Sequence, residues 1–230
     1  MKLSIVIPCF NESANLESLL SRCHEVGQDK DIEFIIVDNG SNDNTGEILG
    51  NLLPLYSSVK SIRLEVNRGY GFGIISGLRE ASGQILSWTH ADLQTDPMDA
   101  VIGLQLFVEY GQGIFVKGRR YGRPFSDIAF TAGMSIFETV LLRQRMWDIN
   151  AQPTMFTRVF FESWQDPPDD FSIDLYAYAM AARQGLAIKR FPVRFGKRKH
   201  GISTWNVDWS SKFKFISRTI RYSLALGRRW

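Results

Sequence analysis

The chain has 230 residues, 44% of them hydrophobic and 22% charged, with a formal net charge of +3. This is enough apolar material for one domain with a sizeable core, and two cysteines, Cys9 and Cys23, exclude a disulfide framework and a cysteine-based metal site. Both are read as core thiols of a reducing compartment, and no apolar run approaches the roughly 18 residues that would predict a membrane span.

The charge is polarised. From Lys189 onward there are 12 Lys or Arg and one acid, Asp208, leaving 15 bases against 23 acids in the rest. An acidic body with a basic tail implies that the tail meets an anion, which could be membrane lipid, lipid phosphate or nucleic acid.

The apolar start is broken by Pro8 and runs into Asn11-Glu12 without a small-residue cleavage pattern, so residues 3–7 predict a first strand, not a signal peptide. A helix over 12–26 follows, with Leu16, Leu19, Leu20 and Cys23 at helical spacing. Residues 33–37 predict a second strand that ends in Asp38-Asn39-Gly40-Ser41, then a helix over 43–53 and a strand over 59–64. A helix over 71–81 leads to a strand over 84–88, a helix over 97–110 and a strand over 114–117. Further on, 172–183 predicts an amphipathic helix, and 209–226 a basic one. The alternation defines an α/β fold with a mostly parallel sheet flanked by helices, in which ligands gather at the carboxyl ends of the strands. The polar clusters at 11–12, 38–41 and 90–96 follow that rule.

The sharpest signal is Trp88-Thr89-His90-Ala91-Asp92-Leu93-Gln94-Thr95-Asp96-Pro97, where an apolar run stops in an acidic cluster. Mg²⁺ and Mn²⁺ bind through one or two protein oxygens while substrate phosphates supply the rest. Alternating residues of an extended segment share a face, so Asp92 and Gln94, with His90 one step earlier, are expected to converge on one ion. The competing reading is that Asp96-Pro97 caps the next helix and Asp92 is a solvated turn residue.

Four segments together are more specific: Pro8-Cys9-Phe10-Asn11-Glu12, Val37-Asp38-Asn39-Gly40-Ser41-Asn42-Asp43-Asn44-Thr45, Asn67-Arg68-Gly69-Tyr70-Gly71 and Ala91 to Pro97. In order and spacing the chain resembles glycosyltransferase family 2, of GT-A fold, over almost its whole length. Gly118-Arg119-Arg120-Tyr121 and Arg198-x-x-Gly201-x-Ser203 are similar to motifs of the dolichol- and polyprenyl-phosphate sugar transferase branch. The resemblance implies a GT-A domain over 1–205 followed by a basic amphipathic helix over 206–230, lying on a membrane or packed on the core. It implies that Asp38 binds the nucleotide base, that Pro8, Phe10 and Glu12 line the base and ribose pocket, and that Asn67 and Gly69 also serve the nucleotide sugar. Asp92 then holds Mg²⁺ or Mn²⁺ on the donor diphosphate, with Gln94 as partner and His90 where the family's first acidic residue stands. Arg120, Arg198 and Ser203 match positions around the acceptor phosphate, suited to guanidinium forks. Asn39 replaces an aspartate and Thr204 a lysine of the family pattern, and Lys197, Lys199 or His200 are candidates to replace that lysine's phosphate contact.

A lipid phosphate is ionised near neutral pH and needs no general base, so a single in-line displacement with inversion is expected. A sugar hydroxyl of a lipid-linked glycan would need one; Asp174 is the first candidate and Asp148 the second. The family's usual Glu-Asp base motif is absent, which favours a polyprenyl phosphate acceptor and a UDP- or GDP-sugar donor in cell-surface glycan synthesis. In 209–226, Phe213, Ile216, Ile220 and Leu224 share one face while Lys212, Lys214, Arg218 and Arg221 spread around the other, with Phe215 and Tyr222 at the boundary. That pattern fits a helix lying on anionic lipid, hence a cytoplasmic enzyme peripheral to the inner face of the membrane. The glycines at 69, 71 and 73 do not form a dinucleotide fingerprint, and the acidic body argues against nucleic acid as a partner. A nucleotide-sugar-binding relative without catalysis is the remaining alternative, prompted by His90 and Asn39.

Overall fold

The computed structural model describes residues 1–28, 30–198 and 209–229. The strands are β1 (Leu3–Cys9), β2 (Ile32–Asn39), β3 (Val59–Leu64), β4 (Ile85–Trp88), β5 (Ile114–Tyr121), β6 (Thr154–Thr157) and β7 (Ala187–Arg194). The helices are α1 (Ser13–Gly27), α2 (Thr45–Leu52), α3 (Tyr70–Glu80), α4 (Met98–Tyr110), α5 (Phe125–Leu142), α6 (Arg158–Glu162), α7 (Ile173–Arg183) and α8 (Trp209–Arg229). One seven-stranded sheet runs in the order β3-β2-β1-β4-β6-β5-β7. All its pairings are parallel except those of β6, which runs antiparallel to both β4 and β5.

The period-2 alternation of β1 divides the core. Leu3, Ile5 and Ile7 join Leu16, Leu19, Leu20 and Phe107 on one face of the sheet, while Val6, Ile35 and Val37 join Ile74, Leu78, Trp88 and Phe156 on the other. Burial on both faces explains why the central strands read as continuous apolar runs.

The expected elements are found to within a few residues, and the mostly parallel α/β class is the one observed. Four elements lie outside that expectation: α5, β6, α6 and β7. The absence of a long apolar segment needs correction, because α5 is long and apolar enough to cross a membrane by length and composition, despite Asp127 and Glu138 within it. Its inward face carries Ser135, Glu138 and Leu142, while Phe125, Ile136 and Val140 are 83%, 62% and 73% exposed.

The helix α8 packs on α5, and the face it buries is not the expected one. Ser223 and Leu226 point inward, Leu224 is 43% exposed, and Ile216 and Ile220 are half-buried. Phe213, Phe215, Lys212 and Lys214 lie outside the described side chains.

Candidate active site

Loops beyond β1, β2 and β3 are joined mainly by hydrogen bonds to backbone. Asn11, at φ 56°, donates its N–H to Ser41 Oγ at 3.0 Å, and its own Oδ1 accepts from Asn42 N at 3.0 Å. The Glu12 N–H donates to Thr45 Oγ1 at 3.1 Å, and Glu12 Oε2 accepts from Asn15 Nδ2 at 2.6 Å. Asp38 is buried, with Oδ1 accepting the Ser41 N–H at 2.9 Å. Asn39 has kept the hydrogen-bonding role without the charge, donating to the Gly69 carbonyl at 2.9 Å, while Asn67 Oδ1 accepts the Gly69 N–H at 2.9 Å. These bonds gather Glu12, Asp38, Asn67 and Gly69 at the carboxyl edge of β1 and β2, where Pro8 and the 41% exposed Phe10 also lie.

After β4 the chain does not stay extended. Residues 91–95 form turns, with Leu93 at φ 54°, because Asp92 Oδ1 accepts the Gln94 N–H at 3.1 Å and so closes an Asx turn. The expected alternation of His90, Asp92 and Gln94 on one extended face is therefore replaced by a compact turn. Asp92 is buried, and its Oδ2 receives Arg198 Nη2 at 2.7 Å across a long sequence gap. Gln94 Nε2 donates to the Gly196 carbonyl at 3.1 Å, which leaves its amide oxygen for other partners. Asp96 follows the competing reading: its Oδ1 accepts the Met98 N–H at 2.8 Å at the start of α4, and Arg22 Nε donates to it at 3.0 Å.

His90 stacks on Tyr70 with ring centroids 6.2 Å apart, and Tyr70 on Phe171 at 4.8 Å. Burial pushes the His90 pKa below its ordinary value, against the pull of Asp92 and Asp174, so the imidazole is neutral at pH 7. Glu12 is pushed up, chiefly by burial, with Asp92 adding to the effect and Arg198 opposing it. Segment 165–172, which carries Phe171, is clamped against the start of α3: Phe72 N–H donates to the Asp169 carbonyl at 2.9 Å, and a Cβ on Gly69 or Gly71 would stand 2.3 Å from a carbonyl oxygen of Asp169 or Pro168.

On the far side, beyond β5 and β6, the polar groups are buried and charged. Asp174 sits in the first turn of α7, yet it is no solvated helix-end charge. Its Oδ1 accepts from Lys117 Nζ at 3.3 Å, Gln152 Nε2 at 2.9 Å and Thr154 Oγ1 at 3.3 Å. Lys117 is fully buried, and burial lowers its pKa to about 8 despite Asp174. Asp148 accepts from Arg120 Nε at 3.1 Å and faces Arg123 Nη2 at 3.6 Å. Burial would raise its pKa, but the Arg120 hydrogen bonds and the neighbouring guanidinium charges hold it below the usual carboxylate range.

Arg120 also lines a cavity of about 50 Å³ between α5, α7 and α8, together with Glu138, Phe171, Ser172 and Thr219. Burial raises the Glu138 pKa to about 7, against the hydrogen bond to Ser223. Ser223 Oγ is 2.6 Å from Glu138 Oε1 and 2.8 Å from the Thr219 carbonyl. One hydroxyl proton cannot serve both acceptors fully, so a protonated Glu138 completes the pair.

Asp38, Asp92, Arg120, Arg198 and Asp174 are thus placed on one edge region, although Arg120 is engaged by Asp148, the second candidate base, and Asp174 by Lys117, a partner the sequence did not single out. Ser203, Thr204, Lys199 and His200 lie outside the described residues. Lys117, Arg123, Glu138, Tyr70 and Phe171 were missed. Tyr70 lies inside the Asn67 to Gly71 segment and Arg123 follows the Gly-Arg-Arg-Tyr motif by two positions, so both could have been noticed there; Lys117, Glu138 and Phe171 carry no local signal.

A sheet of this order, with acids and arginines beyond the carboxyl ends of β1, β2 and β4, is the GT-A architecture. The chain belongs to glycosyl transferase family 2, whose model matches residues 4–163. It is 35% identical to a dolichol-phosphate mannosyltransferase of Mycosarcoma maydis over 94% of this chain and 77% of the relative. A dolichol-phosphate mannosyltransferase of Pyrococcus furiosus is 37% identical over 53% of this chain, and this chain spans only 34% of that relative's length. The fold superposes on glucosyl-3-phosphoglycerate synthase of Mycobacterium tuberculosis, in complex with Mn²⁺ and UDP, with a TM-score of 0.72 at 19% identity, covering 98% of this chain and 79% of that one. It also superposes on a Pyrobaculum calidifontis mannosyltransferase in complex with GDP-Man and Mn²⁺, with a TM-score of 0.66 at 18% identity, covering 87% and 58%.

Proposed function

We propose that the chain transfers a sugar from a UDP- or GDP-sugar to a polyprenyl phosphate, with inversion, at a membrane surface. The observation that carries the choice of acceptor is that both candidate bases are engaged: Asp148 by Arg120 and Arg123, and Asp174 Oδ1 by Lys117, Gln152 and Thr154. A hydroxyl acceptor needs a free base, whereas a phosphate already carries its charge and has only to be aligned. The names of the relatives point the same way.

Among the described residues no three His, Cys, Asp or Glu side chains surround a common point. The donor set that fits Mg²⁺ or Mn²⁺ is the Asp92 carboxylate with the Gln94 amide oxygen, enough for an ion held mainly by a diphosphate. Such an ion would stabilise charge on the leaving diphosphate. In this reading Glu12, Asp38, Asn67 and Gly69 hold the nucleoside, with Pro8 and Phe10 beside it. Neutral His90 and its aromatic stack shape the space beside Asp92. Arg198, released from Asp92, and Arg120 offer guanidinium groups to the phosphates.

The exposed apolar row of α5 and the basic α8, the C-terminal extension of a catalytic body over 1–205, are proposed to rest on lipid at the cytoplasmic face. Replacing Ile136 and Val140 with Ser is expected to change stability by less than about 0.5 kcal/mol while clearly reducing sedimentation with anionic vesicles. Unchanged sedimentation would remove α5 from the membrane face.

The reaction is tested by nucleoside-diphosphate release from a panel of UDP- and GDP-sugars with Mn²⁺ or Mg²⁺, with and without polyprenyl phosphate in detergent. Release that depends on the lipid phosphate supports the reading. Release with a glycan acceptor instead would favour the second reading, transfer to a hydroxyl with Asp174 freed from Lys117 as base.

A further inference from the structure

The segment that follows β7 is stitched to the turn that follows β4. The Gly196 N–H donates to the Gln94 carbonyl at 2.7 Å, Gln94 Nε2 donates back to the Gly196 carbonyl at 3.1 Å, and two residues further on Arg198 Nη2 reaches Asp92 Oδ2 at 2.7 Å. The same segment leans on the opposite side of the cleft, where the Phe195 N–H donates to the Tyr121 carbonyl at 3.0 Å and the Arg120 guanidinium lies 5.2 Å from the centre of the Phe195 ring. Position 196 is thus fixed from two directions through main chain, while the charged contact is carried by an Arg198 side chain that is 26% exposed.

Both oxygens of Asp92 are engaged in this arrangement: Oδ1 accepts the Gln94 N–H, and Oδ2 faces Arg198, with the Asp92 side chain only 5% exposed. A divalent ion entering alone has to displace a charge-assisted bond from a buried carboxylate. In return it meets one anionic oxygen and the neutral Gln94 amide, because no three His, Cys, Asp or Glu side chains surround a common point among the described residues. Hydrated ions of this class give up their water for such a sparse set only when phosphate oxygens complete it. A diphosphate changes the balance on both counts, since it supplies the missing ligands and offers Arg198 a second anion with which to pair.

We propose that Arg198 is a latch on Asp92 that a nucleoside diphosphate opens, so that the chain takes up its divalent ion together with the diphosphate and not before it. The proposal rests on the donor reading above and deepens it: Arg198 is a positioning residue for the carboxylate first and a phosphate partner second. Without a diphosphate the latch keeps a buried carboxylate paired and spares the fold a stranded charge. Ion and diphosphate then raise each other's affinity by one common factor, as linkage requires, and the Arg198 contact is part of that factor.

The test counts bound Mn²⁺ on the intact chain, without nucleotide, from the electron paramagnetic resonance signal of the free ion. The natural sequence is expected to bind weakly, and Arg198→Ala at least about tenfold more tightly, a gain that vanishes when Asp92→Asn is added. Arg198→Gln, which can still hydrogen-bond Asp92 and so protects the fold, should also gain, and Arg198→Lys, which keeps the charge without the planar fork, should gain less. For UDP and GDP titrated calorimetrically without metal the sign reverses: Arg198→Ala should weaken whichever binds by about fivefold or more. An arginine that serves phosphate alone gives the second result without the first. Mn²⁺ affinity unchanged by both Arg198→Ala and Arg198→Gln therefore overturns the proposal and leaves the donor reading standing. Failure of both UDP and GDP to bind with Mn²⁺ present overturns the donor reading and the proposal together.

Discussion

The two sides of the cleft are held by different forces. Around β1, β2 and β3 the loops are joined by hydrogen bonds of Asn11, Glu12, Asn39 and Thr45, most of them with a backbone partner. Between β5, α5, α7 and α8 the corresponding work falls to buried ion pairs, Lys117 with Asp174 and Arg120 with Asp148, and to a protonated Glu138 bonded to Ser223. A neutral hydrogen bond contributes about 1 kcal/mol net, whereas removing one member of a buried ion pair costs about 3–5 kcal/mol because the other is stranded. The side around β1, β2 and β3 should therefore tolerate substitution, and the side around β5, α5, α7 and α8 should be brittle and sensitive to pH.

The largest effect is expected where the two sides meet. Asp92→Asn should lower transfer at least about 100-fold while leaving the melting temperature nearly unchanged, since Arg198 can turn to solvent. Near-normal turnover would reject the site.

Next comes Lys117→Ala, expected to lower unfolding free energy in urea by about 3–5 kcal/mol. A loss under about 1 kcal/mol would mean that Asp174 is not held as a buried charge and would erase the contrast.

Glu138 sharpens it through pH. Its folded pKa of about 7 lies above the ordinary 4.5, so between those values the folded state binds the extra proton. Its contribution is complete below about pH 4.5, shrinks as pH rises through 7, and amounts to about 3 kcal/mol. Glu138→Gln should flatten the melting-temperature profile between pH 5 and 8; an unchanged slope would show that Glu138 is ionised throughout.

The smallest effect belongs to the side around β1, β2 and β3. Thr45→Val removes the acceptor of the Glu12 N–H and should cost about 1 kcal/mol, read by chemical denaturation. A cost near that of Lys117→Ala would abolish the distinction between the sides.

Legibility in the sequence follows the same division. Strand β3 matches its expected span of 59–64, and the ends of β1, β2 and β4 carry the motifs, because parallel buried strands leave apolar runs punctuated by polar loops. The missed β6 has only four residues and gains its identity from antiparallel partners on both sides. Strand β7 is an edge strand whose Lys189, Arg190, Pro192 and Arg194 mask any alternation. The helix α5 exposes apolar residues and buries Glu138, inverting the pattern on which amphipathic reading depends. In the site, Asp38, Asp92 and Arg198 could be named from short motifs. Lys117 could not, since a buried lysine is intelligible only through Asp174, supplied 57 residues later.

The clamp between Gly69 to Gly71 and segment 165–172 bears on how such a site can diversify. The family match ends at residue 163, just before that segment. The two meet through backbone, carbonyl against glycine, and through one ring stacked on another. Gln165, Asp166 and Pro167 are therefore the positions along 165–172 whose side chains can be exchanged without altering the shape presented to Tyr70 and His90, whereas Asp169, Asp170, Phe171 and Ser172 hold the segment through ion pairs, a turn bond, a ring stack and burial. Lengthening the segment, or giving either glycine a side chain, would change that shape at once.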